Sequence, residues 1–94
     1  MENNEHFFYV LTCNDGSFYG GYTNNLERRI RLHNEGKGAK YTRGRGPVRL
    51  TYFKSYENKG DALRAEYKFK RLARKKKDEF LISEDDRDVA AKEL

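Results

Sequence analysis

Residues His6 to Thr12 (HFFYVLT) constrain the fold more than any other segment. They are aromatic, β-branched and apolar at both side-chain parities, as expected of a buried strand at the centre of a sheet. Asn14-Asp15-Gly16-Ser17 follows with an Asp-Gly turn signal. Ser17 to Tyr22 reads as a second strand, so residues 6–22 form a hairpin. Gly20 and Gly21 lie inside that strand, where adjacent glycines mark a bulge or the close approach of another group.

Thr23-Asn24-Asn25-Leu26-Glu27 opens a helix. Asn24 with Glu27 three residues on resembles a capping pair, and Thr23 is an alternative cap. The helix is expected to run to about Asn34, before Gly36. A loop from Glu35 to Gly46 sets Lys37, Lys40, Arg43 and Arg45 around Tyr41, with Gly36, Gly38, Gly44 and Gly46 between them. Val48 to Ser55 reads as a third strand with Pro47 at its start. Asn58 or Asp61 begins a second helix that carries Glu66. A basic run, Lys70 to Lys77, precedes the apolar patch Phe80-Leu81-Ile82, which is expected to dock a short last helix. Residues 6–82 then form the domain, and 83–94 a polar tail expected to fray. The order β-β-α-β-α-(α) predicts an α/β (α+β) sandwich, a three-stranded antiparallel sheet flanked by helices.

Ninety-four residues make one small domain with a thin core. Six Phe and seven Tyr without Trp leave rings to supply much of that core. The net charge of +5 suits a polyanionic partner, nucleic acid first, or a solvated basic surface. Cys13 is the only cysteine, which excludes an internal disulfide and reads as a packing residue. No apolar stretch approaches membrane-spanning length, and Met1 to His6 lacks the regions of a signal peptide. A cytoplasmic protein is expected.

Helical phase singles out two charged residues. In the second helix Ala62, Ala65, Phe69, Leu72 and Ala73 form one apolar stripe, and Glu66 falls on its edge. A carboxylate beside a core is costly unless it is paired or binds a metal, so Glu66 either salt-bridges to a neighbour or serves a site. In the first helix, with Leu26 at 0°, Ile30 lies near about 40°, His33 near about −20°, Arg29 near about −60° and Arg28 near about 200°. Arg29 therefore borders the buried stripe while Arg28 faces water. Arg29 is a site candidate or a stem lying on apolar surface; Arg28 is solvated or meets phosphate. Tyr9 and Tyr19 share parity around the hairpin turn, so their hydroxyls can emerge on one face. His33 reads as a base, a phosphate donor or a helix-end residue.

These residues resemble the GIY-YIG nuclease domain, in the small stand-alone bacterial (YhbQ/YazA-like) branch. Phe7-Phe8-Tyr9 matches the GIY position and Tyr19-Gly20-Gly21 the YIG position. Leu26-Glu27-Arg28-Arg29-Ile30 with His33 matches the arginine helix. Residues 36–44 resemble a stretch typical of the branch, and Arg64-Ala65-Glu66-Tyr67-Lys68 matches the segment bearing the metal-binding glutamate. Phe7 replaces the first glycine of GIY and Gly20 the apolar centre of YIG. The asparagine that some members carry after the glutamate has no equivalent that the sequence locates, and no attached DNA-targeting domain is expected.

The resemblance implies phosphodiester hydrolysis with one divalent cation, Mg²⁺ or Mn²⁺, held at Glu66. It implies charge stabilisation by Arg29 and a water-activating role for Tyr9 or Tyr19, with His33 assisting and Gly21 structural at the site. Phosphate contacts are expected from Arg28, Lys37, Lys40, Arg43, Arg45, Arg74, Lys75, Lys76 and Lys77, and a stacking contact to a base from Tyr41. DNA, in branched or single-stranded form, is expected ahead of RNA, in repair or recombination. The competing expectations are a non-catalytic nucleic-acid-binding module and a protein-interaction adaptor, each needing a protein partner.

Overall fold

The computed structural model describes the backbone of residues 5–93 and the side chains of residues 5–83. The described elements are β1 (His6–Thr12), β2 (Phe18–Thr23), α1 (Leu26–Asn34), β3 (Arg49–Tyr56), α2 (Lys59–Lys70) and α3 (Arg74–Glu93). The strands form one antiparallel sheet in the order β2-β1-β3, so β1 is central, as its apolar run requires. Phe8 and Val10 point to one face, where they pack with Tyr52, Phe69 and Leu81 beneath α2 and α3. Tyr9 and Leu11 point to the other, among Cys13, Val48 and the Leu26 and Ile30 side chains of α1. The alternation of strand side chains thus feeds two thin cores from one strand.

β3 needs a bulge to serve both cores. Val10 pairs with Tyr52, but Leu11 pairs with Leu50, leaving Thr51 as the extra residue. Tyr52 and Leu50 have the same parity in sequence, and only the inserted residue turns them to opposite faces. The hairpin turn follows the Asp-Gly signal. Gly16 takes the left-handed φ of 86°, and Asp15 accepts from both the amide and the hydroxyl of Ser17.

The α1 cap is one residue later than expected. Asn25, neither Asn24 nor Thr23, is the N-cap and accepts from the Arg28 amide at 3.1 Å. Thr23 holds the Asn25 amide at 3.1 Å, which orients the capping residue and leaves Asn24 in solvent. In α2, Asn58 accepts from the Asp61 amide while its own amide donates to the Asp61 carboxylate, a reciprocal cap. That helix stops at Lys70, so Leu72 and Ala73 fall in the link to α3. Leu72 is half-buried, and Ala73 is exposed rather than part of the stripe. The last helix is not short, for α3 spans 20 residues. Leu81 is buried and Phe80 half-buried, but Ile82 is exposed. The fraying expected for residues 83–94 concerns side chains that, beyond Ser83, lie outside the described residues.

Candidate active site

Tyr9 and His33 meet across the interface between β1 and α1, both almost fully buried. The Tyr9 hydroxyl lies 2.9 Å from Nε2 of His33. On the other side of the ring, Nδ1 lies 2.8 Å from Oγ1 of Thr42. The Thr42 hydroxyl donates to the Ala39 carbonyl at 3.1 Å. A hydroxyl has one proton to give. With that proton committed to Ala39, Thr42 accepts from His33, so the imidazole carries its proton on Nδ1. Nε2 then holds a lone pair, and Tyr9 donates to it. Burial, with help from the nearby Arg29 charge, pushes His33 down to about 4, so the ring is neutral near pH 7. Burial pushes Tyr9 up to about 12, while the Arg29 guanidinium beside it pulls the other way.

Two glycines make room for this pair. A Cβ on Gly21 would lie 2.5 Å from the Tyr9 hydroxyl and 3.1 Å from the Tyr19 ring. A Cβ on Gly38 would overlap the His33 ring, so this loop glycine makes room for His33. Gly20 faces the opposite core, where the Phe69 ring comes within 3.1 Å of its missing Cβ and fills the place of the YIG apolar residue.

Arg29 and Arg28 part as helical phase predicts. Arg28 is exposed and Arg29 half-buried. Arg29 Nε is a buried side-chain polar atom without a hydrogen-bond partner among the described residues. Such a donor beside a phenol is suited to an incoming anion. Glu66 reaches the same region from α2, on the other side of the sheet, because β2 is an edge strand. Its charge is felt at Tyr9. Its partner Lys70, 2.8 Å away, lies 5.5 Å from the Tyr19 ring centre.

A metal finds a restricted donor set. Among the described residues no three His, Cys, Asp or Glu cluster together. Glu66 offers a hard carboxylate oxygen, and its contact with the Lys70 ammonium places it where a cation is accommodated. This set fits a cation that retains water and takes phosphate oxygens, as Mg²⁺ and Mn²⁺ do, and not one caged by protein.

A GIY-YIG catalytic domain model matches residues 5–79. The chain belongs to the GIY-YIG family. A UPF0213 protein of Bacillus velezensis is 60% identical over 81 residues, covering 86% of this chain and 82% of the relative. The UPF0213 protein YazA of Bacillus subtilis is 54% identical with the same coverage of both chains. The solution structure of a UPF0213 protein from Bacillus halodurans matches with a TM-score of 0.56 at 51% identity over 82% of each chain. That of an E. faecalis protein gives 0.60 at 50% identity over 88% of this chain and 90% of its own. A GIY-YIG domain implies nuclease activity in general, and such nucleases generally use divalent metal ions. Among the described residues no helix is long and apolar enough to cross a membrane.

The basic loop of this GIY-YIG domain is strapped down at several points. Val48 donates its amide to Asn34 at 2.7 Å, and Asn14 donates to the Arg45 carbonyl at 2.8 Å. The Arg45 guanidinium bonds Asp15 at 3.1 Å and the Tyr41 carbonyl at 2.7 Å, and lies 4.2 Å from the Tyr41 ring centre. Tyr41 itself stacks on Tyr19. Two residues expected to meet nucleic acid are therefore already engaged in closing the loop over the site. Lys37, Lys40 and Arg43 are exposed, as is Lys75. Arg74 pairs with Asp78 and lies over Phe18, Lys76 pairs with Glu79, and Lys77 lies over Phe69. Thr42 and Lys70 belong to the site but were missed by sequence reasoning. Thr42 is set there by tertiary contacts that neither a stripe nor a charge run reveals, whereas Lys70 pairs with Glu66 one helical turn away, at a spacing the sequence does show.

Proposed function

We propose that the protein is an endonuclease that hydrolyses phosphodiester bonds in DNA, branched or single-stranded forms included, with one Mg²⁺ or Mn²⁺ held at Glu66. The observation that carries this reading is the convergence on Tyr9 of a neutral imidazole, an arginine with a buried free donor and a carboxylate. When bound, the cation would supply Lewis-acid stabilisation of the scissile phosphate and the leaving oxygen.

The chain's own groups supply the rest. Tyr9 keeps its proton at neutral pH and directs it at Nε2 of His33. Attack by water requires that its proton pass to the Tyr9 oxygen while the Tyr9 proton passes to Nε2. One O–H bond breaks on water and one forms on Tyr9; the old Tyr9 O–H bond breaks as N–H forms on His33. The hydroxide so released attacks phosphorus as the P–O bond to the leaving oxygen breaks, and that oxygen takes a proton from solvent. A phosphate entering beside Arg29 offsets the charge that depresses His33 and so raises its basicity when the proton must move. Arg29 Nε donates to the phosphoryl oxygens as negative charge builds on them. Tyr19, packed against Tyr9 and His33, orients the water.

Lys37, Lys40, Arg43, Lys75 and Arg28 are the foremost phosphate contacts. Arg45, Arg74, Lys76 and Lys77 contribute after leaving their present neighbours. A role in repair or recombination with a protein partner that supplies targeting, in the cytoplasm, completes the reading. The Lys70–Glu66 ion pair favours one competing reading, a module that binds nucleic acid without cutting it.

The test is cleavage of labelled single-stranded, duplex, flap and branched DNA, and of RNA, with Mg²⁺ or Mn²⁺, beside Glu66→Ala prepared identically. Cleavage by the wild type alone supports the enzyme. Salt-sensitive binding without cleavage by either protein supports the binding module. Neither binding nor a metal effect leaves the protein-interaction adaptor.

A further inference from the structure

The loop between α1 and β3 contributes one buried polar side chain to the site, Thr42, which is 1% exposed. It stands between the His33 ring and the Ala39 carbonyl, accepting from one and donating to the other. We propose that Thr42 is a positioning residue that fixes the tautomer of His33 and thereby sets which way the proton on Tyr9 points. The inference rests on the nuclease reading only for its kinetic consequence.

Ala39 presents a carbonyl, which can only accept, so the Thr42 proton is spoken for. Thr42 must then accept from Nδ1–H, and Nε2 must accept from Tyr9. With Thr42 donating to the Ala39 carbonyl, each link from there to Tyr9 takes one direction. If the Thr42 hydroxyl is replaced by a methyl, an Nδ1–H loses its acceptor in a buried setting, which costs more than leaving a bare ring nitrogen there. The proton then moves to Nε2, where it is donated to the Tyr9 oxygen. That reversal turns the Tyr9 proton away from His33 and occupies the lone pair that would receive it. Gly38, packed on the ring, and the turn that returns Arg43 to Ala39 (N to O 3.2 Å) hold the loop in place for this task.

The experiment is long-range ¹H–¹⁵N correlation of the histidine rings at neutral pH. It is run on wild type, Thr42→Val, which keeps the shape and removes the hydroxyl, and Thr42→Ser, which restores it. His6 is the only other histidine and gives an internal reference. In the wild type, His33 is expected with Nδ1 protonated and Nε2 bare. Thr42→Val shifts the proton to Nε2, and Thr42→Ser keeps the wild-type pattern. A wild-type ring protonated at Nε2 overturns the proposal, as does a folded Thr42→Val with an unchanged tautomer. Where Thr42→Val does not fold, the wild-type and Thr42→Ser spectra decide. On a cleavable DNA substrate, Thr42→Val lowers kcat about 10-fold or more at unchanged KM. An inactive wild type with the expected tautomer would refute the nuclease reading and leave the positioning of His33 by Thr42 intact.

Discussion

An added Cβ on Gly21 and the hydroxyl of Tyr9 would occupy nearly the same space, 2.5 Å apart. Gly21 lies directly opposite Tyr9 in the β2–β1 ladder, so neither can retreat without disturbing the pairing. Gly21→Ala is expected to cost about 1–3 kcal/mol in stability through overpacking. Because the ring it displaces bonds His33, cleavage should fall as well. Gly20→Ala meets only the edge of the Phe69 ring, at 3.1 Å, and should be milder on both counts. Urea unfolding of the two variants with rates measured in parallel checks this. Equal effects would mean that the Tyr9 position is not set by Gly21.

The buried neutral His33 makes stability pH-dependent in a stated direction. Its folded value of about 4 lies below the ordinary 6.5. Between those values the unfolded chain binds the extra proton, so stability is fully present above pH 6.5 and is lost as pH falls toward 4. The shift corresponds to roughly 3 kcal/mol. Denaturation of wild type and His33→Gln at pH 7 and pH 4 should show the variant losing that much less on acidification. Parallel losses would place the acid sensitivity elsewhere.

Much of this arrangement was legible in the sequence because local pattern dictated it. The apolar run from His6 to Thr12 could only be central, and helical phase separated Arg29 from Arg28 and put Glu66 on an edge. What was not legible depends on neighbours distant along the chain. The bulge at Thr51 answers a demand from two cores at once. The choice of Asn25 over Asn24 as cap turns on where Thr23 leaves the strand. Thr42 and Tyr41 lie in the basic loop between α1 and β3. Their partners, His33 and Tyr19, lie on α1 and β2, and no spacing within the loop announces them. Nor does the loop sequence announce that Gly38 leaves room for the His33 imidazole.

The two adjacent arginines should behave as opposites. Arg29→Ala removes the Nε donor that no group among the described residues satisfies, and cleavage is expected to fall by about 100-fold or more. Arg28→Ala touches an exposed side chain, expected to meet only the substrate backbone, so it should weaken DNA binding modestly and leave kcat near the wild-type value. Steady-state cleavage with matched thermal unfolding curves distinguishes these outcomes. Equal losses at unchanged stability would contradict the half-buried placement of Arg29 as the source of its role.

Binding by exposed cations should be sensitive to salt. If Lys37, Lys40 and Arg43 each meet a phosphate, changing all three to Ala lowers the slope of log affinity against log salt by about 2–3. Fluorescence anisotropy on a labelled oligonucleotide across a salt series measures it. An unchanged slope would remove the loop from the interface.

Glu66 already pairs with Lys70, 2.8 Å away, so a cation bound at Glu66 would compete with that ammonium. Removing the ammonium should therefore favour the metal. Lys70→Ala is expected to tighten Mn²⁺ binding by about two- to fivefold, the scale of a partly exposed ion pair. Glu66→Gln keeps the shape but loses the charge, and should abolish that binding. Chelation should stop cleavage and added Mg²⁺ restore it. Titration of Mn²⁺ followed by electron paramagnetic resonance reads the affinity independently of turnover. Weaker binding in Lys70→Ala would mean that Lys70 supports the cation site instead of competing for it. Undiminished binding in Glu66→Gln would place the metal away from α2.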